Sequence, residues 1–192
     1  TASSSFDIYR LTAEGHVIIA SQGSTATGEK AVYDVAAGKA VMTGNNLRLT
    51  SPDQDVTARD SFEYFVTDGR LAAAGDVIVT RPGGDKLRAD RAGAVFVQDA
   101  KGQRQLQSLT ADGNIVITTA TEILRGTRAR YEAGSDTAAL EGNVRIERGP
   151  NVLEGDRAEV NLTTNVSRMI GAPGSTGRVR GVFYPGSEQK PQ

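Results

Sequence analysis

A unit of about 30 residues recurs along the chain, and this repeat restricts the fold more than any other feature of the sequence. An apolar-x-apolar pair follows a Gly or Asn in "GHVII" (15–19), "NNLRL" (45–49), "GDVIV" (75–79), "GNIVI" (113–117) and "GNVRI" (142–146). The first apolar residues of these copies are separated by 30, 30, 38 and 29 residues. The long interval contains the polar stretch "QDAKGQRQLQS" (98–108), which we interpret as an insertion in a loop. A weaker sixth copy reads "GRVRGV" (177–182).

A second alternating segment completes each unit. It reads "TGEKAVYD" (27–34), "TARDSFEYF" (57–65), "RADRAGAVF" (88–96), "RGTRARYE" (125–132) and "EGDRAEVNL" (154–162), and its second residue is a small Gly or Ala, followed by two polar positions and a further small residue. A small-rich strand, as in "LAAAG" and "AALEG", closes a unit before the next Gly. Each unit therefore predicts two or three strands of about five residues, joined by turns such as 81–84 and 149–151. Because no segment keeps a helical period, the pattern predicts an all-β chain built as an open, solenoid-like roll.

The apolar pairs predict a continuous aliphatic stripe on one face of this roll. Side chains two residues apart share a face of a sheet, so five such pairs in register form one stripe along the molecule. The pairs are Val17/Ile19, Leu47/Leu49, Val77/Val79, Ile115/Ile117 and Val144/Ile146. The stripe is either the packed core of a solenoid or the lining of a groove for an apolar chain. The strand edges at the two ends of the stack predict head-to-tail association.

The composition excludes several functional classes. A net charge of −1 argues against nucleic acid as a partner, and the absence of cysteine excludes disulfides and thiolate sites. The single histidine, His16, occupies the turn position held by Asn or Asp in other units, and Asp53, Asp55 and Asp60 fit a solvated turn better than a calcium site. We therefore expect no enzyme activity, no metal and no cofactor.

The repeat resembles that of the OstA-like lipopolysaccharide transport proteins. The resemblance is carried by "GDVIVTRPGGDKLRADRA" (75–92), "AALEGNVRIERGPNVLEGDRAEVNLTTNVSRMIG" (138–171) and "GRVRGVFYPG" (177–186). It implies an elongated, twisted, V-shaped β-jellyroll of short antiparallel strands over residues 1–185. Because chain termini are commonly poorly ordered, we expect the polar tail at 186–192 to be disordered. The resemblance also implies a periplasmic location, lipopolysaccharide acyl chains held in the interior, and end-to-end assembly with homologous domains of inner- and outer-membrane components.

The resemblance adds inward-facing residues of the second strands to the five pairs as candidate lipid contacts. These are Tyr33, Phe62, Tyr64, Tyr131, Val160 and Leu162. Within the family, the periplasmic bridge is favoured over the membrane-anchored and barrel-attached components that share the fold. Two further hypotheses stay open at this point: a carbohydrate-binding or carbohydrate-acting β-helix, and a purely structural β-filament subunit in which the stripe is only a core.

Overall fold

The computed structural model describes residues 8–21, 23–100, 102, 104–161, 163–164, 166–171 and 178–184. Over these ranges the chain contains strands and turns and no helix, as predicted. The strands are β1 (Arg10–Ser21), β2 (Ser24–Asp34), β3 (Lys39–Thr43), β4 (Leu47–Thr50), β5 (Asp55–Ala58), β6 (Ser61–Phe65), β7 (Arg70–Thr80), β8 (Lys86–Gln98), β9 (Arg104–Thr118), β10 (Ile123–Glu132), β11 (Thr137–Arg148), β12 (Asn151–Asn161), β13 (Val166–Ile170) and β14 (Arg180–Val182). All pair antiparallel in one sheet of 14 strands.

A bend divides this sheet into two arms. Most strands cross the bend, so one half of each such strand lies in one arm and the other half in the second arm. β7, for example, pairs with β6 through residues 70–74 and with β5 through residues 78–80. Arm 1 contains residues 10–14, 30–34, 39–43, 61–65, 70–74, 91–95, 108–112, 128–132, 137–141, 157–161 and 166–170. Arm 2 contains residues 17–21, 24–28, 47–50, 55–58, 77–80, 86–89, 115–118, 123–126, 144–148, 151–155 and 180–182.

In three of the five repeats the bend lies at the Gly-Asp or Gly-Asn pair that opens the unit, at residues 75–76, 113–114 and 142–143. Register breaks separate Ala74 from Val77 and Glu141 from Val144, so the two residues between them form a β-bulge. Asp76 (φ 47°), Asn114 (φ 47°) and Asn143 (φ 50°) adopt the left-handed conformation that Asn and Asp tolerate better than most residues. In these three units the dipeptide therefore bends a strand instead of ending it, whereas residues 44–46 of the second unit separate β3 from β4.

This finding corrects the predicted strand lengths. Each half-strand has about the predicted five residues, but the bulge joins two halves into strands such as β7 with 11 residues and β11 with 12. His16 likewise lies within β1 at a bulge and not in a turn between strands. The stretch 98–108 is only partly a loop, because Phe96 pairs with Leu106 and the insertion lengthens the hairpin of β8 and β9.

The bends of successive strands lie along one line, which we call the vertex of the V. At each bend a large residue packs against a small one. In register, Val77 faces Ala89, Ile115 faces Gly126 and Val144 faces Gly155. Val77, Ile115 and Val144 are at most 1% exposed. A Cβ on Gly126 would lie 2.7 Å from a methyl carbon of Leu140, so a larger residue there would force the buried Leu140 side chain to move. The small residue near the start of each second segment thus fits the close packing where the arms converge.

The core lies along this vertex in two clusters. One contains Val17, Leu47, Phe62 and Val77 among its buried members, and the other contains Ile115 and Val144. The resulting fold is the expected all-β, V-shaped jellyroll. No helix of the described residues is long and apolar enough to cross a membrane. The predicted tail at 186–192 lies outside the described residues.

Candidate functional site

Arm 2 presents an unbroken row of aliphatic side chains to the space between the arms. Each member faces the next across neighbouring strands, as Val79 faces Leu87 and Leu87 faces Ile117. This aliphatic row consists of Ile19, Ala26, Leu49, Val56, Val79, Leu87, Ile117, Leu124, Ile146 and Leu153. The second residue of every predicted pair belongs to it, because the strands of all repeats are in register.

Arm 1 presents two parallel rows to the same space. The row nearer the vertex, the alanine row, consists of Ala13, Ala31, Met42, Phe62, Ala73, Ala92, Ala111, Ala129, Leu140, Ala158 and Met169. The row nearer the tip, the outer row, consists of Leu11, Tyr33, Ala40, Tyr64, Leu71, Ala94, Leu109, Tyr131, Ala138 and Val160. Four consecutive alanines, Ala73, Ala92, Ala111 and Ala129, form the middle of this row, between Phe62 on one side and Leu140 on the other.

The rows enclose a chamber of about 400 Å³ between the arms. Its apolar lining comes from the aliphatic row (Val56, Val79, Leu87, Ile117, Leu124), the alanine row (Ala73, Ala92, Ala111, Ala129, Leu140, Ala158) and the outer row (Leu71, Ala94, Leu109, Tyr131, Ala138, Val160). Arm 2 contributes from β5 to β10 and arm 1 from β7 to β12. This offset is the one expected when a twisted sheet folds over itself.

The chamber exists because alanine leaves space that a larger aliphatic side chain would fill. In the pattern that begins the second segments, Ala89, Gly126 and Gly155 are each followed three residues later by an alanine of this row. The quoted segments "LAAAG" and "AALEG" contain other members. The sequence pattern showed these small residues within the repeating strands, but it did not predict that they line the chamber. The signal that identifies them is their fixed position relative to the bulge.

Four of the predicted lipid contacts line the chamber: Val79, Ile117, Tyr131 and Val160. The first residues of the pairs, Val17, Leu47, Val77, Ile115 and Val144, are instead buried in the core at the vertex, as is Phe62. Leu49 and Ile146 are partly buried against the two core clusters, and Tyr33 and Tyr64 are partly buried in the outer row. Ile19, in the edge strand β1, is 45% exposed, and Leu162 lies outside the described residues.

Polar side chains surround the chamber where arm 2 ends. Arg81 and Asp85 come from the turn between β7 and β8, in which the Arg81 amide donates to the Asp85 carbonyl at 2.9 Å, and Lys86 is the first residue of β8. Glu122, from the turn between β9 and β10, accepts a hydrogen bond from Arg148 Nε at 2.7 Å. Positive and negative side chains alternate at this edge of the chamber, so the edge has no charge of a single sign.

Two tyrosines of the outer row differ in how their hydroxyls are satisfied. The Tyr131 hydroxyl donates to Asp136 Oδ1 at 3.0 Å, and this bond, together with burial, raises the pKa of Tyr131. The Tyr64 hydroxyl is closed to solvent and, among the described residues, has no hydrogen-bond partner. The guanidinium of Arg104 lies over the Tyr64 ring, 5.1 Å from its centroid.

The described residues contain no constellation that resembles a catalytic or metal centre. No polar or charged side chain among them is buried, and they include no group of three or more His, Cys, Asp or Glu side chains placed to hold a metal. Asp55 accepts a hydrogen bond from Arg48 Nε at 2.7 Å, and Asp60 accepts one from Arg59 Nε at 2.7 Å. These acids therefore form separate surface ion pairs.

Comparison with known proteins identifies the family of this chain. The profile of a family described as LptA/(LptD N-terminal domain) LPS transport protein matches residues 58–166. The structure is similar to that of LptH, the LptA homologous periplasmic component of the lipopolysaccharide transport device of Pseudomonas aeruginosa. That likeness has a TM-score of 0.55 and 21% identity and covers 69% of this chain and 95% of LptH, so it shows the fold.

No curated protein matches the chain. The profile match nevertheless extends over more than half of the sequence and includes most of the residues that line the chamber. The resemblance found in the repeats is confirmed. The chain belongs to the LptA/LptD N-terminal domain family of lipopolysaccharide transport proteins.

Proposed function

We propose that this protein is a non-catalytic, periplasmic lipid-binding bridge that carries lipopolysaccharide between the inner and outer membranes and shields its acyl chains in the chamber. Family membership supports the pathway, and the apolar chamber supports the mode of binding. A filament subunit with a purely structural interior would need no open space between the arms. A carbohydrate site would need polar or aromatic platforms, whereas the described lining consists mainly of aliphatic residues and alanine.

The dimensions of the chamber support one hydrocarbon chain as its occupant. Strands lie about 4.8 Å apart, so an aliphatic lining that runs from β5 through β7, β8 and β9 to β10 is about 19 Å long. A volume of about 400 Å³ over this length gives a mean cross-section of roughly 20 Å², which suits a single alkyl chain. Lipids with several acyl chains would require the arms to separate further.

Photo-crosslinking tests this proposal at neighbouring positions of β9. A photoreactive amino acid replaces Ile117, which lines the chamber, and in a second variant it replaces Thr118, which is exposed on the opposite face. Each purified variant is incubated with lipopolysaccharide and irradiated. We expect lipid adducts at position 117 and only background at position 118.

The Thr118 variant is the control, because positions 117 and 118 are neighbours in β9 and lie on opposite faces of the sheet. Equal labelling at both positions, or labelling at 118 alone, would mean that lipid adheres to the surface, and it would overturn binding inside the chamber. Circular dichroism of both variants shows that the fold is retained.

The partners in this proposal are homologous jellyroll domains and other copies of this chain, joined through the terminal strands. Among the described residues, β1 pairs only with β2, and β13 and β14 pair only with β12. Apolar side chains are exposed at both ends: Leu11 and Ile18 on β1, and Val182 on β14. An edge with unpaired backbone groups and apolar side chains is a template for strand addition.

Sedimentation over a range of protein concentrations tests this association. We expect the mean mass to increase with concentration and Ile18→Lys to shift the increase to higher concentrations, because Ile18 is 68% exposed on the edge strand. A mass that stays monomeric at every concentration would refute self-association. It would leave lipid binding unaffected.

A further inference from the structure

The chamber does not extend along the whole interior, although the rows that form it do. On arm 1, its lining ends at Ala73 and Leu71 in β7. The next members of the alanine row toward the N-terminal end are Phe62 and then Met42, which face each other across β6 and β3. Both side chains are buried, at 5% and 4% exposure.

The sequence changes at this point in the repeat. Where other units place an alanine three residues after the small residue at the vertex, the second unit has Ala58 followed by Ser61 and then Phe62. Phe62 consequently occupies the row position that Ala92, Ala129 and Ala158 hold in later units. A phenyl ring there fills the volume that alanine leaves open further along the sheet.

Residues on both sides of the N-terminal limit of the chamber belong to one buried cluster. Val56 and Ala73 line the chamber and also belong to the same buried cluster as Met42 and Phe62. The described lining includes no residue of β1 to β4 or of β6. Phe62, which faces Ala73, and then Met42 therefore lie one and two strands beyond the N-terminal limit of the lining on arm 1.

We infer that Met42 and Phe62 form an end wall that determines how long a hydrocarbon chain the chamber accepts. The inference rests on the proposed function, because it assigns a selectivity to the lipid-binding chamber. An extended alkyl chain advances about 1.3 Å per carbon, given a C–C bond of about 1.5 Å and tetrahedral angles. One strand spacing of about 4.8 Å therefore corresponds to roughly four carbons.

The test measures the affinity of saturated fatty acids whose chains grow by two carbons at each step. For the wild-type protein, we expect up to about a fourfold gain for each methylene that enters the chamber, and a plateau once the chain reaches the wall. Phe62→Ala should move the plateau to longer chains by about four carbons. Ala92→Leu, which narrows the chamber two strands from Phe62, should move the plateau to shorter chains.

Phe62→Leu removes less volume and provides the test if Phe62→Ala does not fold. It should move the plateau in the same direction by a smaller amount. A plateau at the same chain length in the folded Phe62 variants and in Ala92→Leu, with wild-type binding intact, would overturn the end wall alone. Absence of fatty-acid binding by the wild-type protein, or binding that does not depend on chain length, would overturn the proposed function and the wall with it.

Discussion

Two isoleucines of β9, two residues apart, distinguish a packed core from a lipid chamber. Ile115 is 1% exposed and lies at the vertex, whereas Ile117 is partly buried and lines the chamber. We compare Ile115→Ala with Ile117→Ala, which remove the same three carbons from the same strand. The perturbations are chemically identical, so differences between the variants report the surroundings.

The expected effects on stability follow from these surroundings. Truncating a fully buried isoleucine costs about 2 to 5 kcal/mol, and we expect about 3 to 4 kcal/mol for Ile115→Ala because Gly126 opposite it has no side chain to fill the cavity. Ile117→Ala should cost at most about half as much, since part of its side chain already faces open space. For a chain of this size, 1 kcal/mol shifts the melting temperature by about 2 to 4 °C.

The expected effects on lipid affinity are reversed. A buried methylene contributes about 0.8 kcal/mol, so losing part of the contact made by three carbons should cost roughly 1 kcal/mol, or about fivefold in Kd, for Ile117→Ala. Ile115→Ala should change the Kd of the folded protein by less than about twofold, because its side chain does not line the chamber. Urea unfolding gives the stabilities, and fatty-acid titration at a temperature where both variants are folded gives the affinities. Equal losses of stability with unchanged affinity for both variants would refute the chamber and indicate a packed core.

The remaining predictions concern polar groups and the vertex. Tyr64→Phe should raise the free energy of unfolding by about 1 kcal/mol, because it removes a hydroxyl that is closed to solvent and has no partner among the described residues. Tyr131→Phe should lower the free energy of unfolding by about 1 kcal/mol, because it removes the hydrogen bond to Asp136. Urea unfolding measures both changes. The hydrogen bond from Arg48 lowers the pKa of Asp55 in the folded protein. The ion pair therefore stabilises the fold fully above the ordinary aspartate pKa of about 3.9, and this stabilisation is lost as the pH falls through the lowered pKa of the folded state. Asp55→Asn should therefore reduce the melting temperature at neutral pH and match the wild type in strong acid, as pH-dependent melting measures. Gly142→Ala should destabilise the fold by more than about 1 kcal/mol in urea unfolding, because φ there is +79° and the new methyl would overlap the Thr127 side chain.

The repeat predicted the rows of the interior because register in an antiparallel sheet is carried from strand to strand. Once the alternating pairs of the five units align across neighbouring strands, Val79 and Ile117 must face the same side, and the bulges at Gly75-Asp76 and Gly113-Asn114 preserve that relation. The family resemblance then supplied the expectation that Tyr131 and Val160 face the same space, where the structure places them.

The division of these rows into core and chamber could not be predicted from the alternation alone. Ile115 and Ile117 read alike in the sequence, and only the bend at Asn114 places the first at the vertex and the second between the arms. Similarly, alanines such as Ala92 and Ala129 have no strong apolar signal, although the open space depends on their small size. Periodicity shows which face a side chain occupies, and packing decides whether that face is filled.

The most direct test of the central claim is an experimental structure of the protein with a bound long-chain fatty acid or lipopolysaccharide. The account predicts continuous alkyl density between the alanine row and the aliphatic row, in contact with Ile117 and Leu87 and ending at Phe62. An empty chamber at saturating lipid, or alkyl density confined to the outer faces of the arms, would contradict it.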